Sequence, residues 1–266
     1  MRLDGGAGGA LVLRSEVLER AGVPHAFATR RGGVSAGCFE SLNFGNPGEL
    51  PLARRDPAAN IRENYQRLLS AAGCGGRGLV EVHQVHGAGV LVVHAGTPAH
   101  AGARDTKADA IITDDPARGA AVRIADCAPV LLASGDGAVV AAVHAGWRGV
   151  VAGVVPAAVE AMKGLGAGGV IAAVGPCIGR GAFEVGPEVA AEFRRVFGEA
   201  APLRPGRGDR LHAGLAEAIG LQLRAAGAAE VDIYEGCTFG QPDLFFSHRR
   251  DRERSGRMAA VIGPRL

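Results

Sequence analysis

The chain has 266 residues, of which 47% are hydrophobic and 21% charged, as in an ordinary globular protein. Its 29 basic and 27 acidic residues give a net charge of +2, which indicates no nucleic-acid-binding face, and runs such as Val139–Val143 are far too short to span a membrane. Five irregularly spaced cysteines and an N-terminus without an apolar signal segment favour reduced thiols in a soluble, cytoplasmic protein.

The first part of the chain alternates glycine-rich turns with short apolar segments. Residues 4–9 are glycine-rich and are predicted to be frayed. Ala26–Phe44 is typical of a short strand followed by a loop, and Pro57–Ala72 is typical of a helix. Six predicted strands follow, separated by turn residues: Leu79–Val85, Val90–Val93, Ala110–Thr113, Ala121–Ile124, Val130–Ser134 and Val139–His144.

The remaining segments mix helices and strands. The predicted helices are Val151–Met162 (which Pro156 should start or kink), Pro187–Phe197 and His212–Ala226. The predicted strands are Val170–Val174, Val231–Glu235 and Met258–Ile262. This order predicts an α+β fold in which mixed β-sheets are flanked by α-helical layers. With no internal repeat or low-complexity linker, residues 1–266 are expected to form a single domain.

Cys127 and His144 lie on neighbouring apolar strands, in A-D-C-A-P-V-L-L (Ala125–Leu132) and H-A-G-W-R-G (His144–Gly149). Each alone has a simpler interpretation, as a small buried hydrophobe or a core histidine. With a further histidine upstream, they form the donor set of a catalytic zinc site with an open position, or a cysteine–histidine nucleophile. Asp126 opposes a free thiolate, whereas a bound cation would favour one, so the metal site is the preferred interpretation.

The upstream stretch H-Q-V-H-G contains His83 and His86. On a strand, residues three apart point to opposite faces, so only one of them can face the site. His86, which precedes Gly87, is the preferred ligand. Four other histidines lack supporting context and are expected to be exposed or structural: His25, His94, His100 and His212. Three aspartates are candidates for orienting the ligands: Asp109, Asp114 and Asp126.

Arg148 lies in a strand-to-helix loop, where backbone amides and the positive end of a helix attract anions. It is therefore predicted to clamp phosphate or a carboxylate, although it could simply cap a carbonyl. Arg30 and Asn43, in the first loop, are weaker candidates for substrate contacts and could instead stabilise that loop.

Together these motifs resemble the YfiH-like family, also named the laccase-domain or multicopper polyphenol oxidase family and more recently described as purine nucleoside phosphorylases. The resemblance covers nearly the whole chain, with its motifs in order. The matching stretches are Thr29–Gly45, Gln84–Gly87, Ala108–Asp114, Ala125–Leu132, His144–Gly149, Gly175–Gly179, Phe183–Val185, Phe245–Asp251 and Gly256–Ile262. Three places depart from the pattern, and none of them is a proposed ligand: Tyr65 in E-N-Y, His248 in F-F-S-H-R-R-D, and Asp209–Gly214, where the family's D-L-x-x-A-N is weakened.

The resemblance implies one zinc ion held by His86, Cys127 and His144, the three residues that the motifs themselves single out. It also implies a fold distantly similar to a toxin deamidase. The implied reactions are phosphorolysis of adenosine, inosine, guanosine and methylthioadenosine, and deamination of adenosine. The expected partners are therefore a purine nucleoside and phosphate, and no protein partner is indicated.

Three alternative functions remain open. A copper polyphenol oxidase is disfavoured, because the chain has eight histidines and no His-x-His pair. A cysteine or zinc amide hydrolase acting on a peptidoglycan precursor would use Cys127 as nucleophile and His144 as base. A non-catalytic, zinc-stabilised binding protein would need a fourth protein ligand, for which Cys177 and Cys237 are the candidates.

Overall fold

The structure is a computed structural model that describes residues 1–48, 50–97 and 105–266. Its strands are β1 (Arg2–Gly5), β2 (Leu11–Arg14), β3 (His25–Ala28), β4 (Gly78–Val80), β5 (Val90–Val93), β6 (Ala110–Thr113), β7 (Arg118–Ile124), β8 (Ala128–Ala133), β9 (Val140–Ala145), β10 (Ile171–Val174), β11 (Glu184–Val185), β12 (Leu203–Pro205), β13 (Leu211–Ala213), β14 (Glu230–Ile233) and β15 (Met258–Ile262). Its α-helices are α1 (Glu16–Arg20), α2 (Ala58–Ala71), α3 (Trp147–Ala152), α4 (Val154–Gly164), α5 (Pro187–Phe197), α6 (Leu215–Ala225) and α7 (His248–Asp251).

Two six-stranded mixed sheets form the framework. The first sheet has the order β1-β2-β3-β15-β7-β4 and the second β14-β10-β8-β9-β6-β5. Most neighbours are antiparallel, whereas β4–β7, β5–β6 and β10–β14 are parallel. A small third sheet has the order β11-β13-β12. The prediction of mixed sheets with helical layers is confirmed.

Alternation along the central strands explains how the layers are held together. In β8, Leu131 packs into a core that it shares with Phe27 and Val122 of the first sheet. Its neighbours Val130 and Leu132 point to the opposite face, where they join the core formed with helices α4 and α6. Because successive side chains of a strand face opposite sides, strands buried on both faces are apolar throughout.

The first sheet has its own helical cover. Helix α2 buries Tyr65 and Leu68 in a cluster with Ala121 and Val261 of strands β7 and β15. The molecule is therefore layered helix, sheet, sheet, helix, and burial of these apolar side chains is its main source of stability. Within the described residues, no helix is long and apolar enough to cross a membrane.

The observed elements differ from the predicted ones near the N-terminus. Asp4 and Gly5 are not frayed, because Arg2–Gly5 pairs antiparallel with Leu11–Arg14 at the edge of the first sheet. The predicted strand Leu79–Val85 is also too long, since β4 ends at Val80 and His83 makes only an isolated bridge to Lys107.

Two predicted helices are also different in the structure. The helix Val151–Met162 is split, because Gly153 adopts a left-handed conformation (φ 84°) that ends α3, and Pro156 lies in the first turn of α4. His212 lies in strand β13, and α6 begins only at Leu215.

Candidate metal centre

The three proposed ligands come together at one point. Cys127 directly precedes β8, and His144 lies on β9. These two strands pair antiparallel, with His144 opposite Pro129. His86 lies in the loop after β4. One ligand atom from each of these three side chains lies within 4.8 Å of the other two. Among the described residues, this is the one group of histidine, cysteine and acidic side chains compact enough to hold a metal ion.

Asp109 holds two of the ligands in place. One oxygen, Oδ1, accepts hydrogen bonds from Nδ1 of His144 (2.8 Å) and from the backbone amide of His86 (2.9 Å). The other, Oδ2, accepts from the amide of Gly87 (2.7 Å). A carboxylate bound to one nitrogen of a histidine leaves the other nitrogen, here Nε2, to bind a metal. Asp109 is completely buried, so this arrangement is well protected from water.

Left-handed backbone conformations place the loops at the site. His86 has a φ of 61° and Asp126, beside Cys127, a φ of 85°. Such conformations are unfavourable for residues other than glycine and are found where the surrounding structure imposes them, often at functional sites. Here the Asp109 carboxylate fixes the His86 turn, while Thr238 Oγ1 and the Arg249 amide donate to the Asp126 carboxylate, both at 2.6 Å.

The donor set fits a metal ion with one open coordination position. Metal bonds of about 2.0–2.3 Å place the donors of a tetrahedral zinc site roughly 3.3–3.6 Å apart, which is within the 4.8 Å limit that the three ligand atoms satisfy. Gly146 keeps the space beside the donors open. A Cβ atom there would lie 2.8 Å from Cys127 Sγ and 3.1 Å from His86 Cδ2. Thiolate and imidazole together suit zinc and other borderline-soft metals.

The neighbouring ligands Cys127 and His144 shift each other's pKa. Burial alone would raise the pKa of Cys127, but the charge and hydrogen bonds of His144 and His86 outweigh it and lower the pKa to about 6. Burial alone would lower the pKa of His144, but the Cys127 thiolate and the Asp109 carboxylate raise it to about 9. Without a metal, the pair is therefore a thiolate beside an imidazolium at neutral pH.

The donor group opens into a cavity of about 510 Å³. The cavity is large enough for a drug-sized molecule. Its lining includes the three donors together with Gln84, Arg123, Asp126, Trp147, Ile178, Phe183, Leu215, His248, Arg249, Glu253 and Arg257.

The predicted substrate-binding residues lie outside this lining. Arg148 is exposed and its guanidinium lies over the Trp147 ring, 4.5 Å from the centroid. Arg30 donates to the backbone oxygens of Glu40 and Pro242, beside a separate, smaller cavity. Asn43 is completely buried and its side chain donates to Asp56.

The remaining histidine and cysteine candidates that the structure describes lie outside the donor group. His83 is exposed, and His94 contacts Asp114 at 3.4 Å. His25 is completely buried, His212 contacts the Arg180 carbonyl at 3.1 Å, and His100 lies outside the described residues. Cys177 and Cys237 face each other in an isolated β-bridge and are not part of the metal-compatible group.

Sequence reasoning missed the two arginines of the first sheet that line the cavity. Arg257 belongs to the family stretch G-R-M-A-A-V-I, so a signal was present, whereas nothing in the local sequence distinguishes Arg123. Sequence reasoning also left Asp109 as one of three equivalent candidates for orienting the ligands, and the structure selects it.

The chain is similar to known proteins over most of its length. The family described as "Multi-copper polyphenol oxidoreductase laccase" matches residues 24–265. The chain belongs to this family. Within it, a protein of Deinococcus radiodurans named purine nucleoside phosphorylase is 40% identical over 244 residues, covering 91% of this chain and 89% of the relative. The purine nucleoside phosphorylase YfiH of Escherichia coli is 37% identical, covering 91% of this chain and 93% of the relative.

Solved structures of family relatives have the same fold. The crystal structure of YlmD from Geobacillus stearothermophilus superimposes with a TM-score of 0.86 at 31% identity, covering 99% of both chains. That of the hypothetical protein YfiH from Bacillus licheniformis gives 0.84 at 27% identity, covering 98% of both.

Proposed function

We propose that the protein is a zinc-dependent purine nucleoside phosphorylase that also deaminates adenosine. The observation that carries the proposal is the group of His86, Cys127 and His144, which opens on one side into a cavity of nucleoside size. The names of the two relatives support the phosphorylase activity. Adenosine, inosine, guanosine and methylthioadenosine are the proposed phosphorolysis substrates.

His86, Cys127 and His144 would hold the metal, and Asp109 would orient the two histidines. When bound, a zinc ion with an open position polarises an oxygen ligand and lowers its pKa. The open position distinguishes this group from a structural zinc site, which has four protein ligands, because Cys177 and Cys237 lie elsewhere.

Phosphorolysis transfers the ribose from the base to phosphate. A phosphate oxygen forms a bond to C1′ as the bond from C1′ to N9 of the purine breaks. The electron pair of the broken bond leaves with the base, which takes up the proton released from the hydrogen phosphate, and the products are ribose 1-phosphate and the free base. The transition state resembles the oxocarbenium ion of glycoside cleavage, so anionic groups near C1′ stabilise it.

Deamination uses water instead of phosphate. The oxygen of water replaces the amino group at C6 of adenosine, and ammonia leaves with inosine as the other product. Both reactions fit one cavity if the nucleoside can present either C1′ or C6 to the donor group.

A cysteine amide hydrolase is a second candidate, favoured by the closeness of the Cys127 and His144 side chains. His144 lowers the pKa of Cys127 to about 6, so the metal-free protein contains the charged pair that a cysteine nucleophile needs. Its proposed substrate is an amide bond of a peptidoglycan precursor. A polyphenol oxidase would instead consume dioxygen in the presence of a phenol.

One experiment separates these functions. Metal content is measured on the purified protein, and adenosine is incubated with it in the presence and absence of phosphate. About one zinc per chain, with adenine and ribose 1-phosphate formed only when phosphate is present, would support the phosphorylase. Formation of inosine without phosphate would support the deaminase. Full adenosine turnover after removal of all metal would contradict the zinc dependence. Zinc without any nucleoside turnover would favour the amide hydrolase, and bound copper with dioxygen consumption would favour the oxidase.

A further inference from the structure

The cavity beside the metal centre has two chemically different sides, which come from different parts of the fold. One side, the apolar wall, consists of Trp147, Ile178, Phe183 and Leu215. These residues belong to the core between the second sheet and its helices, and the last three are almost completely buried. The flat aromatic face of a purine base fits a wall of this composition.

The opposite side contains two arginines of the first sheet. Arg123 lies on β7 and Arg257 directly before β15, and β7 and β15 pair with Arg123 opposite Ala259. Arg257 is two residues from Ala259 and therefore lies on the same face of the sheet as Arg123, as its diagonal neighbour. Both approach Gly45: a Cβ there would lie 3.3 Å from Arg123 Nη1 and 3.7 Å from Arg257 Cγ. We call this pair the arginine wall.

The backbone of each arginine is held by a side chain. The Gln84 amide donates to the Arg123 carbonyl at 2.7 Å and accepts from the Arg123 amide at 2.8 Å. The buried Asn43 accepts from the Arg257 amide at 2.8 Å. Gln84 belongs to the same loop as His86, so one short segment positions both a donor of the metal centre and the arginine wall. Such preorganisation is typical of a binding site.

The side chains of the arginine wall are oriented by the protein as well. Nη1 of Arg257 donates to the carbonyls of Ser255 and Gly256 at 2.9 and 3.0 Å. Nε of Arg123 lies 4.0 Å from a carboxylate oxygen of the buried Glu81. These contacts restrict the rotamers of both guanidinium groups, so less conformational entropy is lost when they bind a ligand.

Arg249, the third arginine that lines the cavity, contacts a different part of the protein. Arg249 donates to the carbonyl of Glu184 at 3.2 Å, and its guanidinium lies over the Phe183 ring, 5.6 Å from the centroid. It therefore supports the apolar wall. The carboxylate oxygens of Asp126 both accept hydrogen bonds, and Glu253 is exposed at the rim. Of the three arginines that line the cavity, Arg249 thus lies against the apolar wall, whereas Arg123 and Arg257 lie together at the first sheet.

We propose that Arg123 and Arg257 form an oxyanion subsite that binds inorganic phosphate beside the metal centre, with the purine base on the apolar wall. Guanidinium groups match phosphate oxygens with paired, charge-assisted hydrogen bonds. The phosphate would thus approach the ribose from the first sheet and the base would leave from the second. The subsite rests on the proposed function for its phosphate, but phosphate binding can be measured without turnover.

The test measures binding of inorganic phosphate to the zinc-loaded protein by isothermal titration calorimetry. We expect Arg123→Gln and Arg257→Gln each to weaken binding by about tenfold or more, since each loses charge-assisted hydrogen bonds. Arg123→Lys keeps the charge and loses the paired geometry, so an intermediate loss is expected. Arg194→Gln, an exposed arginine of α5, is the matched control and should bind like the unaltered protein.

Steady-state kinetics provide a second, independent measurement. In the same variants, the KM for phosphate should rise while the KM for the nucleoside changes little.

Unaltered phosphate binding and KM in both glutamine variants would overturn the subsite, as would absence of phosphate binding to the unaltered protein. A loss confined to Arg148→Gln would also overturn it, in favour of the loop before α3. Phosphate binding that depends on Arg123 and Arg257, without any phosphorolysis, would support the subsite and refute the proposed function. Circular dichroism verifies that each variant is folded.

Discussion

Asp109 and His144 form a buried pair in which the carboxylate oxygen lies 2.8 Å from the Nδ1 atom of the imidazole. The same carboxylate binds the backbone amides of His86 and Gly87. Burial alone would raise the pKa of Asp109, but the His144 hydrogen bond and these two amides lower it below its ordinary value. One charged side chain therefore orients two of the three metal donors.

Asp109→Asn should weaken metal binding by about 10- to 100-fold, the usual cost of losing a group that orients a ligand. The asparagine amide is neutral and no longer stabilises His144 by its charge. Its NH₂ group would also face N–H groups that themselves donate hydrogen bonds. Metal affinity is measured by competition with a chromogenic chelator. Asp114→Asn is the matched control, since Asp114 also contacts a histidine and a backbone amide but does not belong to the donor group. Equal affinities in the two variants would contradict the assigned role.

Removal of any one donor should remove most of the metal. His86→Ala, Cys127→Ala and His144→Ala each leave two protein ligands, too few for a stable site, and should lose nearly all activity. Zinc per chain is measured by elemental analysis. His83→Ala, at an exposed position three residues from His86, should keep its zinc. Full zinc occupancy in Cys127→Ala would refute the ligand assignment.

Gly146→Ala tests whether the space beside the donors is needed. Its backbone (φ −77°, ψ 166°) suits any residue, so the fold should survive, but the new methyl group would lie 2.8 Å from Cys127 Sγ. We expect lower metal affinity and a loss of activity of about tenfold or more, because small displacements of a reacting group are costly. Metal content and turnover are compared with Gly164→Ala, where a methyl group meets nothing within 4 Å. Normal metal binding and turnover in Gly146→Ala would show that neither the metal nor the substrate needs the space beside Gly146.

The stability of the fold should depend on pH through His25. Its Nε2 atom accepts from the Ser15 amide at 2.9 Å, and its Nδ1 atom lies 2.8 Å from the Val23 carbonyl, so the buried ring is neutral. Burial, followed by smaller effects, lowers its pKa from 6.5 to about 4. Between these two values the unfolded chain binds the proton more tightly than the folded protein does.

The free energy of unfolding should therefore be highest above pH 6.5 and should fall as the pH drops towards 4, by roughly 3 kcal/mol from this group. Chemical denaturation between pH 4 and 7 measures it. His25→Gln, which has no group that titrates in this range, should show a correspondingly smaller slope. Identical slopes in the two proteins would mean that His25 has the same pKa in the folded and unfolded states, which would contradict the prediction.

Much of this architecture can be predicted from the sequence. The apolar runs of β8 and β9 indicate strands buried on both faces, and their short connection makes them neighbours, which is why local patterns suffice to pair Cys127 with His144. The helix at Pro57–Ala72 differs from α2 only at its ends. The glycine that follows His86 favours it over His83, and the structure places His86 in the group with Cys127 and His144, although the strand predicted there is wrong. The left-handed φ of His86 depends on Asp109, which is distant in the sequence.

The amino-acid sequence by itself determined the donor types, the apolar periodicity and the family motifs, because these depend on side-chain chemistry and local spacing. Only the tertiary structure decided which aspartate orients the histidines and which arginines face the cavity. Arg148 is close to His144 along the chain but stacks on Trp147 outside the lining, whereas Arg123 and Arg257 become neighbours through the pairing of β7 with β15. That pairing joins distant segments through backbone hydrogen bonds and buried apolar area, which no local pattern of residues encodes.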